Sequence, residues 1–157
     1  QDARERAVTP AYRERARILH RARLEALRTV GDARETAINA VLAQTRIMLS
    51  QIRSTPAYPS ILRRLAEESL AELERSLEDP GAAHLEIDAR DEALMAEIIK
   101  SLGLQAPISC TLECWGGLVA SSQDGRIVVI NTLESRLDRA LPFLRRDLAA
   151  LLENGGA

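Results

Sequence analysis

Aromatic residues are nearly missing from this sequence: Tyr12, Tyr58, Trp115 and Phe143 are the only four among 157 residues. Any core must be built from Leu, Ile, Val and Ala, a mix that favours helices. Long apolar runs are missing as well. The longest aliphatic stretch, Ile127-Val128-Val129-Ile130, is far short of the roughly 20 residues that a membrane-spanning helix needs, and no segment resembles a signal peptide. No glycine-rich phosphate loop leads into Lys-Ser/Thr; Gly116-Gly117 precede a strand pattern, where such loops need a helix N-terminus. The pair reads instead as a bend or bulge between strands. No initiator Met opens the chain. It begins Gln1-Asp2-Ala3-Arg4-Glu5-Arg6, charged and helix-like, and is expected to start inside a longer natural chain.

Cysteine and histidine are too sparse for much chemistry. Cys110 and Cys114 alternate with Ser109, Thr111 and Glu113 like one face of a half-buried strand, some 13 Å apart at ~3.3 Å per residue. A disulfide needs α-carbons within about 7 Å. Zinc would need two more ligands, and His20 and His84 lack finger spacing. Two buried structural cysteines are expected, with a thiol-dependent redox enzyme as the remote alternative. No Ser-His-Asp or paired-carboxylate arrangement can be argued, so no catalytic residue, metal or cofactor is expected.

What is present is helix. Net charge is only −2, yet residues 1–53 hold 11 Arg against 6 acids while residues 54–157 hold 10 bases against 17 acids. Acids interleaved with arginines and no stacking platform make a weak nucleic-acid footprint, so none is expected as partner. From Ala11 to Arg53 no Pro or loop cluster interrupts an Ala-, Leu- and Arg-rich run, which predicts one helix roughly 65 Å long at 1.5 Å per residue. Thr9-Pro10 is either its N-cap and first turn or a kink in a helix that continues upstream.

After the break at Ser54–Pro59, Ile61, Leu62, Leu65, Leu70, Leu73 and Leu77 recur at helical spacing up to an Asp79-Pro80-Gly81 stop. A strand is expected at 84–88, a helix at 91–102, and strands at 108–114, 118–121 and 126–130, the last two joined by an Asp124-Gly125 turn. Asn131 is expected to cap a final helix with Glu134 three residues on. Leu133, Leu137, Leu141, Leu144, Leu148 and Leu151/Leu152 would be its buried stripe. The fold class is α+β: a long N-terminal stalk helix (1–53), then a small globular head (54–157) with a roughly four-stranded sheet packed by helices.

Along the stalk, Val8, Leu19, Val30, Val41 and Ile52 recur every eleven residues, as do Ala11, Ala22 and Ala33, and Ala16, Leu27, Ile38 and Leu49. Such a repeat imposes a right-handed supercoil on a helix pair. Any straight helix gives nearly the same spacing, but a head of this size cannot cover so long a stripe. Val8, Ala11, Leu19, Ala22, Val30 and Ala33 are therefore the expected partner-binding seam.

The stretch from Trp115 to Leu141 resembles the C-terminal signature of the E-type stalk protein of A/V-type ATPases. Matching positions are Gly116, Gly117, Asp124, Gly125, Arg126, Ile127, Asn131, Thr132, Leu133, Glu134, Arg136 and Leu137, and Tyr58-Pro59 with Ile61, Leu62 and Leu65 resembles that family's entry to the second helix. Cys114 and Trp115 depart from the pattern, as does a shortened stalk. The resemblance implies a non-catalytic stator in an ATPase or ATP synthase that moves protons or sodium. Its long helix would pair, as a heterodimer, with a helical G/H-type stalk subunit. Its head would dock on the rim of the catalytic hexamer, at the B-type subunit, and its stalk end would meet the membrane-embedded stator subunit or its collar. The resemblance also implies a peripheral location on the cytoplasmic side of the membrane. A stator-like regulator of a flagellar or type III secretion ATPase is the alternative, and a self-associating coiled-coil scaffold a third.

Overall fold

The computed structural model describes residues 2–76 and 83–154, and the side chains of residues 10–75 and 83–153. Helix α1 spans Asp2–Ser50 and carries Pro10 inside it, so the helix does continue upstream of Thr9-Pro10. Its 49 residues extend about 74 Å at 1.5 Å each. It stops short of Arg53 because Ile52–Ser54 tightens into a separate 3-10 turn, with Thr55 N donating to Ile52 O at 3.0 Å. Helix α2 (Tyr58–Ser76) follows. Leu77 and the expected Asp79-Pro80-Gly81 stop lie outside the described residues. Then come β1 (His84–Asp88), α3 (Glu92–Ser101), β2 (Ile108–Leu112), β3 (Gly117–Ser121), β4 (Val128–Thr132) and α4 (Leu133–Asn154).

The chain divides into two compact units, residues 43–145 and residues 1–42 with 146–157. The first holds a four-stranded mixed sheet of order β2-β1-β3-β4, in which only β1 and β2 are parallel, linked through α3. β3 runs antiparallel to both β1 and β4. Period-two alternation puts Leu85 and Ile87 of β1 and Leu118 and Ala120 of β3 on one face, beneath Leu62, Leu65, Ala66, Leu70 and Leu73 of α2 and Met95, Ile98 and Ile99 of α3. The other face is open: His84 Nε2 meets Ser109 Oγ at 3.0 Å, Thr111 Oγ1 donates to Glu86 Oε2 at 3.0 Å, and Val128 and Ile130 are exposed.

One expectation for this sheet fails. Pairing between β1 and β2 steps from Glu86↔Ser109 to Asp88↔Leu112, so Cys110 and Thr111 together oppose Ile87 in a β-bulge. The extra residue breaks the alternation and turns Cys110 outward, while Cys114, beyond the end of β2, is buried. The two cysteines do not share a buried strand face. Cys110 is exposed.

In the second unit α1 meets the last turns of α4. Arg34 Nη1 pairs with Glu153 Oε1 at 3.0 Å. One and two turns further on, Ile38 and Leu42 are buried to 5% and 4% exposure, respectively. Residues 10–33 are exposed throughout. The leucine stripe expected for α4 holds only in part: Leu133 and Leu137 are buried, Leu141 and Leu148 half-buried, and Leu144, Leu151 and Leu152 exposed.

Candidate functional site

The sequence singles out two sets of residues. The first is on α1, where 100° per residue places Ala11, Leu19, Ala22, Val30 and Ala33 within one arc of about 100°. All five are exposed, Leu19 at 47% and Val30 at 50%. The side chain of Val8 lies outside the described residues. Tyr12 lies at the edge of this arc with Val30 and Leu27 about 60° beyond it, and both are also exposed. Arg17 pairs with Glu14 at 2.9 Å, but no carboxylate among the described residues is within ion-pair distance of Arg13, Arg21, Arg23 or Arg28. This helix therefore presents apolar and cationic groups that the described chain does not itself use.

The second set lies between Gly116 and Leu137, and here nearly every polar side chain has an assigned contact. Gly117 sits at φ +101° opposite Thr132, and a Cβ on it would approach Asn131 O to 2.3 Å. A Cβ on Gly116 would meet the Tyr58 ring at 2.9 Å, and Gly116 O accepts from Leu133 N at 2.9 Å. The turn from β3 to β4 closes around Asp124, whose Oδ1 accepts from Ser122 Oγ at 2.6 Å and Arg126 N at 3.1 Å. Those bonds, the Ser122 one foremost, hold the Asp124 carboxyl below the usual range. Gly125 supplies the left-handed conformation at φ +67°.

Asn131 does not cap α4 as expected. It belongs to β4, and its buried Nδ2 donates to Leu65 O and Ser69 Oγ of α2, both at 3.1 Å. Its Oδ1 accepts from Arg136 Nη1 at 3.1 Å, and the same Arg136 nitrogen meets Glu68 Oε2 at 2.6 Å. Arg136, then Arg64, lowers the Glu68 pKa. The cap is one residue later: Thr132 Oγ1 accepts from Ser135 N at 3.3 Å, and Ser135 Oγ accepts from Thr132 N at 3.2 Å. Glu134, freed of the capping role, accepts from Trp115 N through Oε1, leaving Oε2 buried without a hydrogen-bond partner. Leu133 and Leu137 anchor the helix by burial.

In a third set only Tyr58 carries a signature in the sequence. Arg53, in the turn after α1, donates through Nε and Nη2 to Asp91 at 3.0 and 2.8 Å and through Nη1 to Cys114 O at 2.6 Å. Tyr58 Oη donates to Asp91 Oδ2 at 2.7 Å, so burial, then Asp91, pushes the phenol pKa upward. Asp88 accepts from Arg90 Nε and Nη2 at 2.8 and 2.6 Å and from Cys114 N at 3.2 Å. The Arg90 bond, opposed by burial, holds Asp88 well below the carboxylate range. Burial first, then the Glu134 charge, keeps the Cys114 thiol protonated by raising its pKa. The planar guanidinium fork suits Asp91 as it would not suit Lys. The result ties the end of the long helix, the start of α2 and the β2–β3 loop to one buried carboxylate.

The profile of the family described as ATP synthase (E/31 kDa) subunit matches residues 1–152. The chain is similar to an A-type ATP synthase E-type protein of Methanospirillum hungatei, the one numbered 2, being 31% identical over 118 residues that make up 75% of this chain and 57% of that protein. It is similar to the E1 component of the V-type proton ATPase of Arabidopsis thaliana, 36% identical over 97 residues, 57% of this chain and 42% of that one. The E-type component of the A-type ATP synthase of Pyrococcus furiosus is 29% identical over 146 residues, 88% of this chain and 70% of its own. The chain thus spans about half the length of the first two relatives.

Proposed function

The chain belongs to the ATP synthase (E/31 kDa) subunit family, and on that premise we propose that it is a non-catalytic peripheral-stalk component of a rotary A/V-type ATPase. Residues 1–53 act as the partner-binding stalk and residues 54–157 as the head that docks on the catalytic hexamer, at its B-type subunit. The stalk end meets the membrane-embedded stator subunit or its collar, on the cytoplasmic side. The observation that carries this reading is α1 itself. Its residues 10–33 are exposed to the last side chain, and Tyr12, Ile18, Leu19, Leu24, Leu27 and Val30 among them are large and apolar. A lone helix with that much uncovered apolar surface gains by pairing.

The occupant is a helical G/H-type subunit whose facing side is net acidic, because the arginines along α1 outnumber its acids. Co-expression of the two chains tests the reading. A stable 1:1 complex by sedimentation is the expected result; a homodimer, or no complex at all, would overturn it.

A further inference from the structure

The edge of the sheet at β4 carries backbone groups that the fold leaves unused. In an antiparallel pair every second residue exchanges hydrogen bonds with its partner strand, and the residues between turn their N–H and C=O groups the other way. Two flanking bonds fix which residues are which: Ser122 N donates to Ile127 O and Leu133 N to Gly116 O, both at 2.9 Å. Stepping by twos between them, Val129 opposite Ala120 and Asn131 opposite Leu118 bond to β3. Val128, Ile130 and Thr132 therefore turn their backbone groups away from the sheet.

The start of α4 closes one end of that edge. Thr132 N donates to Ser135 Oγ at 3.2 Å, the same hydroxyl donates to Thr132 O at 2.9 Å, and Ile130 O accepts from Arg139 Nη1 at 3.4 Å. The Val128 N–H, the Val128 C=O and the Ile130 N–H are left without a partner among the described residues. Val128 and Ile130 themselves are 53% and 52% exposed on the open face of the sheet. Proteins usually blunt such an edge with Lys, Pro or a bulge. The opposite edge, β2, has its bulge, whereas β4 has none of the three. A donor, an acceptor and a donor in line, beside two β-branched side chains, are the complement of another extended chain.

We propose that β4 takes up an extended segment of the catalytic hexamer as a fifth strand of the sheet. This mode of attachment rests on the proposed docking of the head and adds the surface that makes the contact. Charge along the edge narrows the occupant. Arg139 reaches Ile130 O and has no carboxylate within ion-pair distance among the described residues, and Arg126, two residues before Val128, is exposed and pairs only with Asp124 at 3.3 Å. A second copy of this chain fits badly. Antiparallel self-pairing of Val128 with Ile130 would set each Arg126 opposite the other copy's Thr132, on the side of its Arg139, and like charges across strands repel. A segment of the hexamer with apolar side chains over Val128 and Ile130, and a carboxylate that reaches Arg139, satisfies the backbone groups, the apolar pair and the charge together.

The test uses the whole chain with its helical stalk partner, adds the catalytic hexamer of the same complex, and follows amide hydrogen exchange residue by residue. The Val128 and Ile130 amides are expected to exchange freely before the hexamer is added and at least tenfold more slowly afterwards. Ile130→Pro removes only an outward N–H, a change that edge strands tolerate. It should weaken hexamer binding at least tenfold and leave the melting temperature of the free chain unchanged, while Ile130→Val binds normally. If the hexamer binds but both amides still exchange freely, or if Ile130→Pro binds it within twofold of the wild type, the added strand is wrong and the docking of the head stands. If the wild-type chain does not bind the hexamer, the docking reading fails and the added strand with it. Protection of both amides without the hexamer, in a chain that sediments as a homodimer, would mean that a second copy takes the edge, and would overturn the proposal. Should Ile130→Pro lower the melting temperature, exchange at the wild-type amides decides alone.

Discussion

At the scale of the residue, the heaviest consequences attach to charges that are buried and paired. Asp91 is 2% exposed and takes three hydrogen bonds from Arg53 alone, in addition to that from Tyr58. Arg53→Met would strand that carboxylate, and the expected loss is roughly 3–5 kcal/mol, the usual result of removing one partner from a buried pair; the shift in a urea unfolding midpoint would measure it. Asp88 differs in being tied to pH. Its folded pKa is depressed, chiefly by the Arg90 bond, below the ~3.9 of an unfolded aspartate. Stability from this source is therefore complete above about pH 4 and is lost as pH falls toward the folded value. Asp88→Asn should lower stability at pH 7 and flatten the decline between about pH 4 and pH 2; an acid limb as steep as the wild type's would refute the assignment. Gly117 is intolerant for a steric reason, because any Cβ there collides with the backbone of β4 rather than with a movable side chain.

At the scale of the element, legibility follows range. The long helix is readable from composition and the absence of breakers, and the alternating strands from their period, because both signals are local. The sheet edge is not. A bulge adds one extra residue, which no periodicity announces, and so simple alternation puts Cys110 on the wrong face. The local rule that places Asn before a helix points to Asn131 as a cap, but two acceptors on α2, 62 and 66 residues away, compete for its amide. The cap then falls to Thr132 and Ser135, and Thr132→Ala should cost about 1 kcal/mol by the usual worth of a helix N-cap, measurable as a lowered unfolding midpoint. Arg53 gives no sign at all, since its partners lie 38 and 61 residues on. The apolar repeat on α1 is legible as a pattern, though a sequence cannot say which stretch of a stripe its own chain covers. Here Ile38 and Leu42 are covered and Leu19, Leu27 and Val30 are not.

At the scale of the whole molecule, folding and association make separable demands. Val30→Asp places a carboxylate on an exposed position of the free chain, so its melting should not change, while pairing would have to bury an unpaired charge and binding should be lost. Leu133→Asp does the opposite, because Leu133 belongs to the sheet core and its replacement should unfold that unit. A Val30→Asp chain that melts early yet still binds would contradict the proposed division of labour. The bulge in β2 has one more consequence, and it concerns measurement. Native chains offer one accessible thiol, Cys110, and unfolded chains offer two. With the Cys110 pKa raised by local desolvation and then by the neighbouring Glu92 charge, labelling will be slow at neutral pH and faster in mild alkali. A maleimide dye should thus attach once per folded chain, at a known place on the sheet edge and without any engineered cysteine, and the appearance of a second label would time the opening of the core.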